Sequence, residues 1–124
     1  MTGRQFEEFL SIYFRKVGYD VALTPQTQDY GADLILRKNG IKTIVQAKRS
    51  KKPVSIKAVQ EVASAIKHYM ADEAIVITNN KFTENAFDLA DSNGVELWER
   101  ENLINFIIRV NKDIKNCFLC LNLD

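Results

Sequence analysis

Between residues 6 and 17 the apolar side chains fall at 6, 9, 10, 12, 13, 14 and 17, a stripe of helical period that Gly18 closes. Residues 19–24 alternate as a strand does, and 25–31 form a polar turn region. The runs 33–38 and 41–48 are rich in β-formers and are joined by Asn39-Gly40, the dipeptide that suits a two-residue hairpin turn. Apolar residues at 56, 59, 62, 63, 66, 69 and 70 predict a second amphipathic helix over 55–70. A short buried strand at 74–78 follows, then a helix capped by Thr83 and running to about Asn93. A strand at 95–98 and a helix near 102–114 complete the order αβββαβαβα. This order predicts an α/β fold, a mixed central sheet flanked by helices, in a single domain over 1–124.

Composition narrows the class. A chain of 124 residues, 46% hydrophobic and 27% charged, buries a core without covalent staples, which excludes a disordered or fibrous protein. No run approaches the ~18 apolar residues of a membrane span, and no apolar signal-peptide stretch follows Met1. Two cysteines are too few for a disulfide scaffold, so a reducing, cytoplasmic setting is expected. The net charge of +1 points to no partner, but its distribution does. Residues 37–57 hold Arg37, Lys38, Lys42, Lys48, Arg49, Lys51, Lys52 and Lys57 with no acid, whereas 58–124 hold six basic and eleven acidic residues. Such a basic stretch on an acidic body is the footprint of a polyanion site, or else a solvated lysine-rich hairpin.

The hairpin carries the candidate chemistry. With Asn39 and Gly40 as loop residues, Lys38 pairs with Ile41, and the same register sets Asp33 opposite Gln46, with Cβ atoms ~5 Å apart. Lys48, two residues on, projects from the same face. Leu34, Ile35, Leu36, Ile44, Val45 and Ala47 make both faces of the hairpin apolar, so these polar groups stand in a sheet covered on two sides. A carboxylate, an amide oxygen and an ammonium gathered there suit a hard divalent cation and a phosphate. Magnesium takes oxygen ligands and keeps several waters. Asp33 offers an anionic ligand, Gln46 a neutral one and the Ala47 carbonyl a third, with Lys48 placed to stabilise charge on the phosphate. On the first helix Glu7 lies roughly 100° from the apolar stripe and can turn to the sheet, whereas Glu8, roughly 160° away, faces water.

The strings Gln28-Asp29-Tyr30-Gly31-Ala32-Asp33-Leu34-Ile35-Leu36 and Val45-Gln46-Ala47-Lys48-Arg49 resemble the Mrr-type catalytic domain of restriction endonucleases, within the wider PD-(D/E)XK nuclease superfamily. Phe6-Glu7 ahead of Gly18-Tyr19, and Phe82-Thr83 followed by Ala86 and Ala90, extend the likeness over about 4–104, leaving a C-terminal helix and apolar tail at 105–124. The resemblance implies a restriction-endonuclease-like αβββαβ core and metal-dependent hydrolysis of DNA phosphodiesters, with Mg2+ as cofactor and Mn2+ as substitute. It matches Asp33 and Gln46 to metal-binding positions, Lys48 to the catalytic lysine and Glu7 to the helix acid that completes the metal site. Gln46 stands where the superfamily more often has Glu or Asp, which leaves weaker metal binding in the absence of DNA. Arg49, Lys51 and Lys52 would contact backbone phosphates of double-stranded DNA. Asp29 fits the pattern as a turn-former with a supporting role.

One such site cuts one strand, so a double-strand break implies a homodimer or two binding events, and a larger protein can contain this domain. Two other readings share the fold: a branched-DNA resolvase or repair nuclease, and a non-cleaving DNA-binding module. Cys117-x-x-Cys120 lacks the further ligands of a zinc site and reads as buried thiols, in a tail that could also form an intersubunit strand. His68 reads as a surface residue, and Trp98 and the seven phenylalanines as core.

Overall fold

The computed structural model describes residues 1–27 and 30–122, with side chains for all of these except 114–122. The elements are α1 (Gly3–Lys16), β1 (Asp20–Leu23), β2 (Leu34–Lys38), β3 (Ile41–Lys48), α2 (Ile56–Tyr69), β4 (Glu73–Thr78), α3 (Glu84–Asn93), β5 (Val95–Trp98) and α4 (Arg100–Asn122). Asp29, Cys117 and Cys120 carry roles in the sequence reading that lie outside the described residues or side chains. The tail that could also form an intersubunit strand is helical through Asn122, as the continuation of α4.

Five strands make one sheet in the order β1-β2-β3-β4-β5. The first three form an antiparallel meander, and β4 and β5 join parallel to β3. Asn39 and Gly40 both have positive φ, 54° and 78°, the conformation of a I′ turn, and Lys38 pairs with Ile41 as that turn requires. Period-two alternation along β3 then sorts its side chains between two cores. Val45 joins Phe6, Leu10, Phe14, Leu34, Leu36, Ile75, Ile77 and Leu103 under α1 and α4. Ile44 joins Val59, Val62, Ala65, Val76, Ala86 and Ala90 under α2 and α3. Gln46 and Lys48 share the face of Ile44 and so look toward α2.

The helix ends explain several motif residues. Thr2 and Gln5 form a capping box that starts α1, three residues before the apolar stripe begins. The Thr83 hydroxyl accepts from Ala86 N–H at the start of α3, and the buried Ala86 and Ala90 let that helix lie close against α2. Phe82 is buried beside this cap, whereas Phe87, expected in the core, is 44% exposed with its ring edge-on to Phe82. Its position on the outer side of α3 leaves no core for it to enter. Trp98 is half-buried against Phe14 and Phe106.

Candidate nuclease site

The hairpin register holds from Lys38↔Ile41 to Leu34↔Val45 and stops there. Asp33 is therefore not the cross-strand partner of Gln46. Its N–H donates to Val45 O at 2.8 Å, one residue out of step, as at a bulge. The cause lies just past β1: Thr24 donates its N–H to Asp33 O at 3.0 Å and its buried hydroxyl to Ala32 O at 2.8 Å, drawing the chain off β3. The Asp33 carboxylate then takes over the place of the missing strand, accepting the Ala47 N–H at Oδ2, 2.8 Å away. Within a strand the N–H and C=O of one residue point to the same side, so the Ala47 carbonyl also faces the ground that β2 has vacated. Asp33 and Ala47 are brought together by this backbone link rather than by cross-strand pairing.

The sequence Gly31-Ala32-Asp33 now has a physical reading. Gly31 has φ +89°, and a Cβ built there would lie 2.5 Å from the backbone oxygen of Glu61 in α2. Only glycine permits that approach. Ala32 is fully buried in the core beneath α2, where a small side chain fits. Asp33 follows at the strand end. Tyr30, also at positive φ, stacks its exposed ring on the exposed His68 of α2, with centroids 3.9 Å apart.

Gln46 is 3% exposed. Its Nε2 donates to Glu61 Oε2 at 2.7 Å, and the same oxygen lies 3.4 Å from Lys48 Nζ. Because a carboxylate only accepts, this bond decides which end of the amide is nitrogen and turns Oε1 away from Glu61. That oxygen is buried and has no hydrogen-bond partner among the described residues. A buried unpaired acceptor costs about 1–3 kcal/mol, a cost that a water or a bound cation at this oxygen would offset. Glu7, with a 17% exposed side chain, is held by Arg4 Nη1 at 3.2 Å, and the same nitrogen donates to Thr24 O at 3.1 Å. Glu7 is thus tied to the segment that fixes Asp33, while Glu8 is 60% exposed.

The basic stretch does not form one patch. β3 separates its two ends by about 23 Å at ~3.3 Å per residue. Arg37, Lys38 and Lys42 lie at the hairpin-turn end, where Lys38 Nζ donates to Val17 O and sits over Tyr19. Lys48, Arg49, Lys52 and Lys57 line a cleft of about 380 Å³ at the other end, together with Glu61. The loop carrying Arg49 to Lys52 is braced: Ser50 N–H donates to Asn79 Oδ1 at 2.7 Å, and Asn80 Nδ2 donates to Ser50 O at 3.1 Å. Val54 adds backbone bonds to Lys81 and Thr83.

Glu61, Asn79 and Asn80 escape the sequence reading. Glu61 sits beside the buried positions Ala58, Val62 and Ala65 of α2, a border place that many solvated glutamates share, so spacing gives it no emphasis.

Among the described residues no group of three or more His, Cys, Asp or Glu is gathered to hold a metal. The donor set still fits a divalent cation of the hard, oxygen-seeking kind. It offers the Asp33 carboxylate, the unpaired Gln46 Oε1 and the Ala47 carbonyl side, with water and phosphate left to complete the shell.

The sequence profile described as restriction endonuclease, Mrr_cat, matches residues 1–107. The chain belongs to the Mrr restriction endonuclease family. Among solved structures, the DNA modification-dependent restriction endonuclease AspBHI superposes with a TM-score of 0.67 at 17% identity, covering 94% of this chain and 35% of that one. MspJI restriction endonuclease in complex with a 27-mer oligonucleotide gives 0.63 at 21% identity, covering 85% and 28%. AF1548, a protein of unknown function, gives 0.64 at 17% identity, covering 75% and 55%. The chain thus spans about a third of the two restriction endonucleases and about half of AF1548, and at these identities the likeness shows the fold. No curated protein matches the chain in sequence. Among the described residues no helix is long and apolar enough to cross a membrane.

Proposed function

We propose that this Mrr-family domain is a divalent-metal-dependent endodeoxyribonuclease that hydrolyses phosphodiester bonds in double-stranded DNA, in a restriction or defence role. The observation that carries the proposal is the buried Gln46 amide, its oxygen unpaired, at the strand end shared with the Asp33 carboxylate and the Lys48 ammonium. Asp33, Gln46 and the Ala47 carbonyl would hold the ion, Mg2+ or in its place Mn2+, with Glu7 as a further acid. Such an ion supplies charge neutralisation at the phosphate and an acidified water as nucleophile. Lys48 stabilises the charge that builds on the phosphate oxygens as water attacks in line. Arg49, Lys51 and Lys52, on the braced loop, hold the DNA backbone without reading sequence. Two copies of the chain, or two binding events, then cut both strands.

The test is cleavage of supercoiled plasmid, methylated and unmethylated, in Mg2+ or Mn2+, beside linear, nicked and four-way substrates, with a gel shift in Ca2+. Metal-dependent nicking of plasmid supports the proposal. Cutting confined to the four-way substrate would replace it with a junction resolvase, and binding without cutting in any metal with a DNA-binding module. A double Lys51→Ala/Lys52→Ala variant is expected to weaken binding to all sequences alike and to lower the slope of log K against log salt by about 2, at ~0.9 per phosphate contact. A slope equal to wild type removes those two lysines from the interface.

A further inference from the structure

We infer that Glu61 is a positioning residue of the cation site, supplying through Gln46 the negative charge that a neutral amide ligand lacks. The inference rests on the nuclease reading and extends it to a residue on α2, outside the hairpin.

An amide can present either of two chemistries to a cation. Its two ends are nearly equal in size, and a half-turn of the terminal torsion exchanges a cation ligand for a pair of donors that repel a cation. At a buried position something must choose between them. Glu61 Oε2 does so, 2.7 Å from Gln46 Nε2, because the opposite orientation would set oxygen against oxygen. The ionised acceptor also makes this a charge-assisted bond, which draws electron density toward Gln46 Oε1 and makes it a better cation ligand. A superfamily site with Glu at this place carries its charge on the ligand itself; here the charge stands one hydrogen bond behind.

Two further contacts fit this role. Lys48 Nζ, 3.4 Å from the same Oε2, is held near Gln46 by the longer of the two contacts, the one more readily exchanged for a phosphate oxygen. The Glu61 backbone oxygen is the atom against which Gly31 packs, so the loop that delivers Asp33 two residues later also sets the place of Glu61. The carboxylate of Asp33 and the oriented amide of Gln46 are therefore registered through one contact between loop and helix.

The test is a reciprocal swap. Glu61→Gln keeps the shape but removes the charge and the obligatory acceptor. Gln46→Glu alone sets two carboxylates against each other across one hydrogen bond. The double variant Gln46→Glu/Glu61→Gln restores a carboxylate–amide pair with the charge moved onto the ligand. Mn2+ affinity is measured by electron paramagnetic resonance in the presence of a short DNA duplex, alongside cleavage rate and thermal melting. Both single variants are expected to lose 10–100-fold in Mn2+ affinity and in rate, the usual range for an outer-shell partner. The double variant is expected to recover to within ~10-fold of wild type. Since the double variant keeps the pair intact, it also serves if either single variant fails to fold. Wild-type Mn2+ affinity in Glu61→Gln, or a double variant no better than the worse single, overturns the role of Glu61 alone. A wild-type chain that neither binds Mn2+ nor cleaves DNA overturns the nuclease reading and this inference with it.

Discussion

Asp33→Asn is expected to abolish DNA cleavage, lowering the single-turnover rate by about 10³-fold at saturating Mn2+, the upper range for loss of one preorganised electrostatic group. The substitution keeps the volume, and its amide oxygen can still accept the Ala47 N–H that Asp33 Oδ2 accepts at 2.8 Å. The hairpin end and the bond from Asp33 N–H to Val45 O should therefore survive. What is lost is charge. Gln46 and the Ala47 carbonyl are neutral donors, which leaves Glu7, its charge shared with Arg4, as the one acid to offset the cost of stripping water from a divalent ion. Circular dichroism and a calcium gel shift should match wild type to within a few-fold. A variant that cleaves within tenfold of wild type would remove Asp33 from the metal site.

Gly31→Ala should be the most damaging of the glycine-to-alanine changes, costing about 3 kcal/mol and lowering the melting temperature by roughly 10 °C. Two effects combine. The residue has φ +89°, where a side chain is strained, and the new Cβ would meet the Glu61 carbonyl at 2.5 Å. A helix carbonyl cannot rotate aside, so either the loop lifts from α2 or α2 moves, and Asp33 or Glu61 is displaced. Gly40→Ala separates the two effects, since Gly40 has φ +78° with nothing within 4 Å of a built Cβ. It should cost only about 1 kcal/mol of strain and leave cleavage unchanged. Equal melting temperatures for the two variants would show that the contact with Glu61 is not what requires glycine.

These expectations follow from features that differ in how far the sequence discloses them. The Asn39-Gly40 turn makes the register legible, because a two-residue I′ loop commits Lys38 to pair with Ile41 and every later pair follows from that one. The same logic fails at Asp33, where Thr24, just past the end of β1, pulls the backbone away; no local pattern records a tertiary hydrogen bond. The basic stretch looks continuous along the chain but is divided by the length of β3, so five of its eight cations, Lys48, Arg49, Lys51, Lys52 and Lys57, belong to the site end. The I′ turn that makes the hairpin readable is also what carries Arg37, Lys38 and Lys42 away from that end. Glu61 is invisible for a different reason: its importance lies in which neighbour lacks an alternative partner, and burial of Gln46 is a property of the folded molecule.

The position of the ion decides whether Asp33 and Gln46 share a cation. Crystals of the domain grown with a short DNA duplex and soaked in Mn2+ should show an anomalous peak about 2.1–2.4 Å from an Asp33 carboxylate oxygen and from Gln46 Oε1, beside the Ala47 carbonyl. A well-ordered complex with no peak there, or with Gln46 presenting its nitrogen to the Asp33 side, would contradict it.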